Sequence, residues 1–129
     1  MLDLAPGWEV AVERGPDWLF VRISGADDDG SETPPLPVRL WSLLQEHLTH
    51  RLVLELDQVD ALGSHLIGQL VLLQKWTSEH GGVLRLCGLS PRNRRVLKRC
   101  HLDGRFPAYG NRMDAVMCRA AVRTPRRPR

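Results

Sequence analysis

The chain has 129 residues, 43% of them hydrophobic, which is enough for one domain with a core and too few for two of ordinary size. No stretch approaches the ~20 consecutive apolar residues of a membrane helix, and the opening Met1-Leu-Asp-Leu-Ala-Pro lacks the basic region and apolar run of a signal peptide, so a soluble, cytoplasmic protein is expected. The net charge of +3 is polarised: residues 1–82 carry five basic and thirteen acidic side chains, residues 83–122 nine and two, and residues 123–129 four arginines and no acid.

Trp8-Glu-Val-Ala-Val-Glu alternates apolar and polar residues for part of its length, the period of a half-buried strand. Arg14-Gly-Pro-Asp17 is a turn signal, and Trp18-Leu-Phe-Val-Arg-Ile-Ser24 reads as a second strand, giving an N-terminal hairpin. Residues 25–37 form a loop, with Asp27-Asp28-Asp29, two glycines and three prolines. Leu40, Leu43, Leu44 and Leu48 recur at helical spacing, so a helix is predicted over 38–49. Arg51-Leu-Val-Leu-Glu-Leu56 is a short apolar run suited to a central strand. A loop over 57–63 leads into the clearest helix, 64–79. Leu66, Leu70 and Leu73 line one stripe of it, Ile67 and Val71 widen that stripe, and His80-Gly81-Gly82 ends it.

Val83-Leu-Arg-Leu-Cys-Gly88 is the next strand. Ser90 caps and Pro91 opens a helix to Cys100, with Val96, Leu97 and Cys100 facing inward. A short strand at Phe106-Pro-Ala-Tyr109 and a last helix over 113–122 complete a domain of residues 1–122. The Pro/Arg segment 123–129 is expected to be a disordered basic tail. Strands alternating with helices imply an α/β fold with a mixed, mainly parallel sheet and helices mostly on one side. Leu54, Leu56, Leu70, Leu73, Leu84, Leu86 and Leu97 should be buried together.

From Leu52 to Val116 the chain resembles the STAS domain of the anti-sigma factor antagonist family. That family runs from a hydrophobic strand through a loop ending in Asp-Ser-Ser-Gly-Leu-Gly to a helix, Gly-Gly, a strand, a Ser-Pro-capped helix and a Leu-Asp/Phe segment. Here Leu52-Val-Leu-Glu-Leu56 is the strand and Gly63-Ser-His-Leu-Ile-Gly68 stands at the serine motif. His80-Gly-Gly-Val-Leu-Arg-Leu-Cys-Gly-Leu-Ser-Pro91 matches the turn, strand and cap, and Leu102-Asp-Gly-Arg-Phe-Pro107 the last segment. The resemblance implies a STAS-like sandwich that regulates by binding an anti-sigma factor or a related kinase-like protein, without catalysis. It places partner contact at Asp60, Gly63, Ser64, His65, Leu66, Ile67 and Gly68. The family's partner phosphorylates the second serine of the motif. That position is His65 here, and the first serine survives as Ser64, which makes Ser64 the candidate phosphoacceptor. A helix start favours an anion there, and a phosphate adds about −1.5 to −2 charge. The alternative role for Ser64 is that of a plain N-cap.

Other chemistry finds little support. Ser64 and His65 are neighbours with no third group to orient the histidine, and there is no Gly-x-Ser-x-Gly elbow. Glu46-His-Leu-Thr-His50 is not a His-Glu-x-x-His zinc motif, and Asp27-Asp28-Asp29-Gly30 only half fits a calcium loop, so no metal or cofactor is expected. Cys87, Cys100 and Cys118 read as reduced, mostly buried thiols. Arg92, Arg94, Arg95, Lys98 and Arg99 crowd one helix. They fit a solvated face, an acidic protein partner, or the alternative function of a nucleic-acid-binding accessory protein that uses helix 91–100 and the Arg tail.

Overall fold

The structure, a computed structural model, describes residues 2–5, 8–25 and 35–118. Five strands lie side by side in chain order: β1 (Leu2–Ala5), β2 (Trp8–Arg14), β3 (Leu19–Gly25), β4 (Arg51–Val59) and β5 (Val83–Cys87). β2 runs antiparallel to both β1 and β3, and β3, β4 and β5 run parallel. Parallel neighbours need a crossover. Helix α1 (Leu36–Glu46) supplies it between β3 and β4, and α2 (Ser64–Glu79) between β4 and β5. Helices α3 (Pro91–Arg99) and α4 (Arg112–Met117) follow. Between them the expected strand at 106–109 is a single parallel bridge from Cys87 to Tyr109.

Side-chain alternation divides the sheet into two unlike faces. Trp8, Val10, Leu19, Val21, Ile23, Leu52, Leu54, Leu56, Leu84 and Leu86 point to one face. They meet Leu40 and Leu44 of α1, Leu66, Leu70 and Leu73 of α2, and Leu97 of α3. All seven leucines expected in the core lie in this cluster. Truncating one of them, as in Leu70→Ala, costs about 2–5 kcal/mol. On the other face Val53 and Cys87 pack with Trp18, Tyr109 and Ala115 of α4. Three helices therefore cover one side and the short α4 part of the other. Coverage on both sides is why Leu52–Leu56 is buried without a break, apolar except for Glu55, rather than alternating.

The helix ends depart from the expected boundaries for local reasons. Helix α1 begins at Leu36, because Pro37 is tolerated in a first turn. It stops at Glu46, where Thr49 N–H bonds the Leu44 carbonyl at 3.1 Å and Leu48 turns left-handed at φ 54°. This is a Schellman closure with leucine in the place usually held by glycine. It swings Leu48 out of its expected inward stripe to 88% exposure. Helix α2 closes the same way at Gly81 (φ 74°), with Gly82 N–H on the Thr77 carbonyl at 2.6 Å. A Cβ on Gly82 would stand 2.5 Å from the His50 carbonyl oxygen, so the Gly-Gly pair is needed for the turn and for close approach to the chain entering β4.

Cys87 is buried, whereas Cys100 and Cys118 are exposed, contrary to expectation. Both follow the last turn of a short helix, where the inward stripe has already run out. β1 was not anticipated, since four residues carry no period of their own; pairing with β2 defines it. The acidic run at 27–29, the end of the last predicted helix and the tail at 123–129 lie outside the described residues.

Candidate functional site

The segment that enters α2 leaves β4 at Val59 and is held at three points. Asp60 N–H bonds the Gly25 carbonyl at 3.3 Å. Leu62 N–H donates to Asn93 Oδ1 at 3.1 Å, and Asn93 Nδ2 donates to the Val59 carbonyl at 3.2 Å. Asn93 is wholly buried. It sits in the first turn of α3, where its own N–H bonds Ser90 Oγ at 3.1 Å, so the expected Ser90 cap is formed. One side chain thus satisfies two backbone groups of the loop and docks α3 against it. Sequence reading passed over Asn93; the available signal was a lone amide in an otherwise arginine-rich turn.

The N-cap of α2 is Gly63, with φ −93° and ψ 174°, and it supplies no side-chain cap. Ser64 is the first helical residue and exposed, so it is not the N-cap that its position suggested. A serine caps from the residue before the first helical one, and glycine stands there. Of the seven residues expected at the contact site, Asp60, Ser64, His65 and Gly68 are exposed and Gly63 is half-buried. Leu66 and Ile67 are in the core cluster instead and anchor the helix from below. Helical spacing separates them: Ser64, His65 and Gly68 share the outer side, while Leu66, Ile67 and Leu70 share the inner one. Gly68 is conspicuous, because a Cβ built on it meets nothing within 4 Å. Among the described residues the packing gives no reason for a glycine in mid-helix.

The second face of the sheet carries charge. Arg112, at the start of α4, grips Glu55 of β4 through Nε and Nη2 at 3.0 and 2.9 Å. Its Nη1 stands 2.9 Å from Glu13 of β2, and its guanidinium lies 4.4 Å from the centre of the Phe20 ring. Arg22 adds pairs to Asp57 at 3.1 Å and to Glu55 at 3.8 Å. Glu55 is only 5% exposed, and the two arginines offset the desolvation of its carboxylate. The hydrogen bonds to Glu55 raise the already high pKa of Arg112 further. Beside this network, burial pushes the Cys87 thiol up to about 12, and the nearby Glu55 and Asp57 carboxylates add to the effect, so the thiol is protonated and unreactive at neutral pH. The signal for this network was Glu55 itself, a single acid inside an apolar run.

Among the described residues no three His, Cys, Asp or Glu side chains gather as metal ligands would. Nor is any described helix long and apolar enough to cross a membrane.

An antiparallel start, two parallel crossovers and a Ser-Pro-capped third helix on one side define a STAS-type α/β sandwich. The STAS domain family matches residues 9–115, and the chain belongs to that family. It is similar in structure to an anti-sigma factor antagonist from Mycobacterium paratuberculosis, at 24% identity and a TM-score of 0.71 over 91% of this chain and 97% of that one. It is similar also to the Bacillus cell fate determinant SpoIIAA in its phosphorylated form, at 12% identity and 0.61 over 86% and 100%. An anti-sigma factor antagonist domain protein from Planctomyces limnophilus matches at 21% and 0.58 over 87% and 98%. Among curated proteins, none matches this chain by sequence.

Proposed function

We propose that this protein is a cytoplasmic regulatory module that binds another protein through the start of α2 and performs no catalysis itself, with residues 1–122 as its working domain. The partner is an anti-sigma factor or a related kinase-like regulator, and Ser64 is the residue on which a phosphate would be placed. The observation that carries this reading is Gly68 beside Ser64 and His65: an exposed, unpacked helical glycine that costs the fold stability and leaves room for a partner's backbone. The loop before it is fixed by Asn93, so the surface is presented rigidly.

A dianion on Ser64 would sit favourably at the helix end, worth about 0.3–1 kcal/mol. Its effect on binding therefore arises at the interface, where an unpaired charge is expensive to desolvate. The test is to titrate the anti-sigma factors of the source cell against the full chain by calorimetry. Ser64→Asp should weaken binding at least tenfold, or ~1.4 kcal/mol, while Ser64→Ala should bind as the parent does. Unchanged affinity in Ser64→Asp would remove the α2 start from the interface. A phosphate mapped to Ser78 or Ser90 would move the switch elsewhere.

A further inference from the structure

We propose that the outer face of α3 is a second docking surface, which receives an acidic patch on the same protein partner; this rests on the reading of the α2 start as the partner site. Arg92, Arg95, Lys98 and Arg99 are exposed and Arg94 is half-buried. The ion pairs among the described residues engage Arg22 and Arg112, and none involves these five cations. Lys98 and Arg99 suit the negative end of the helix dipole, but the rest of the arrangement is unfavourable to the helix that carries it. Arg92 and Arg95 are three apart, while Arg95 and Arg99, and Arg94 and Lys98, are four apart, the spacings at which like charges repel. No acid occupies the first turn of α3, and the cations Arg92 and Arg94 lie at the positive end of the helix dipole. Where a sequence works against its own local structure without a gain inside the fold, the gain is sought in function.

The position of α3 ties this face to the α2 start. Asn93, between Arg92 and Arg94, holds the Val59 carbonyl and the Leu62 N–H of the loop leading into α2. Beyond α3, Gln74 of α2 donates to the Arg105 carbonyl at 3.0 Å. The two helices are thus tied through the loop before α2 and the segment after α3, which fixes the basic face relative to the α2 start. The basic face is one helix about 13 Å long. The loop that Asn93 holds carries the exposed Asp60, and the exposed Asp103 follows α3, so a carboxylate stands beyond either end of the basic face. A nucleic-acid backbone running along α3 would meet these carboxylates, whereas a compact acidic patch on a protein would fit between them.

The experiment uses the full chain, with a labelled short poly-L-glutamate peptide and a short DNA duplex as probes, read by anisotropy across a salt series. The parent should bind the peptide with an affinity that falls as salt rises. The triple variant Arg92→Gln, Arg95→Gln, Arg99→Gln should lose at least tenfold. Neutralising the tail instead (Arg123→Gln, Arg126→Gln, Arg127→Gln, Arg129→Gln) should lose less. The triple variant should melt close to the parent, because relief of the Arg92–Arg95 and Arg95–Arg99 repulsion offsets the favourable dipole contact that Arg99 gives up; a markedly lower melting temperature overturns the argument. Equal peptide binding by parent and triple variant also overturns it, as does a larger loss in the tail variant. Duplex binding that survives physiological salt and vanishes in the triple variant would assign the face to nucleic acid. Ser64→Asp should keep peptide binding. Failure at α3 thus leaves the Ser64 measurement standing, and failure at Ser64 leaves the peptide result standing.

Discussion

The buried amide of Asn93 accepts the Leu62 N–H at 3.1 Å across 31 residues of sequence, and this bond sets the loop that delivers the candidate partner site. With its partner bond to the Val59 carbonyl, it replaces water at two buried backbone groups. Asn93→Ala leaves both unpaired and should destabilise the domain by about 1–3 kcal/mol. Amide exchange at Leu62 should accelerate more than exchange at Leu54 in the centre of β4, because the loop is released before the sheet opens. Equal acceleration at both amides would mean that Asn93 supports the whole fold rather than the loop.

What could be read from the sequence follows from how local each determinant is. The stripe Leu66, Leu70, Leu73 and the Ser90-Pro91 cap are decided within a few residues, and they emerge where they were expected. Leu48 was counted in a helical stripe and Cys100 placed inward because periodicity was extended past the point where each helix closes. Nothing in the leucine pattern announces that Leu48 will adopt φ 54°. A cap was one of the two roles open to Ser64, because serine is a common capping residue, yet Gly63 takes that role. The bonds of Asn93 to the loop and of Arg112 to Glu55 span 31 to 57 residues, and no local pattern encodes them.

Gly68 provides a test in which stability and binding should move in opposite directions. Glycine in a helix interior costs about 0.5–1 kcal/mol relative to alanine. Its Cβ position is open, so Gly68→Ala should stabilise the domain by about that amount in urea melts. A close-approaching partner would then be held off by the added methyl, and its affinity should fall. Higher stability with unchanged partner affinity would place the interface elsewhere.

Arg112 and Glu55 fasten α4 to the sheet. Removing Arg112 leaves the buried carboxylate with Arg22 alone, 3.8 Å away. Arg112→Met should destabilise by about 3 kcal/mol, the lower end for breaking a buried pair, because the arginine side chain is 33% exposed. The double variant Glu55→Leu, Arg112→Met should recover most of the loss, since no charge is then stranded. If the double variant is less stable than Arg112→Met alone, the pair contributes more than charge compensation.

Cys87 supplies the pH prediction. Its thiol is buried beside Glu55 and Asp57, and its pKa is pushed from 9.0 to about 12. The folded form therefore retains a proton that the unfolded chain gives up. When the folded pKa is the higher one, the stabilisation is fully present below the unfolded value and is lost as pH rises from about 9 towards about 12. The slope in that window is at most about 1.4 kcal/mol per pH unit for one group. Burial raises Tyr109 as well, and its contribution has the same sign. Urea midpoints should therefore be flat up to about pH 8 and decline above about pH 9. Cys87→Ala should flatten the decline without removing it, because Tyr109 remains. The same burial predicts that a thiol reagent at neutral pH labels the exposed Cys100 and Cys118 quickly and Cys87 only when the domain opens. Rapid labelling of all three would show that Cys87 is not enclosed between the sheet and α4. A decline in stability that is identical in parent and Cys87→Ala would assign the alkaline limb to other groups.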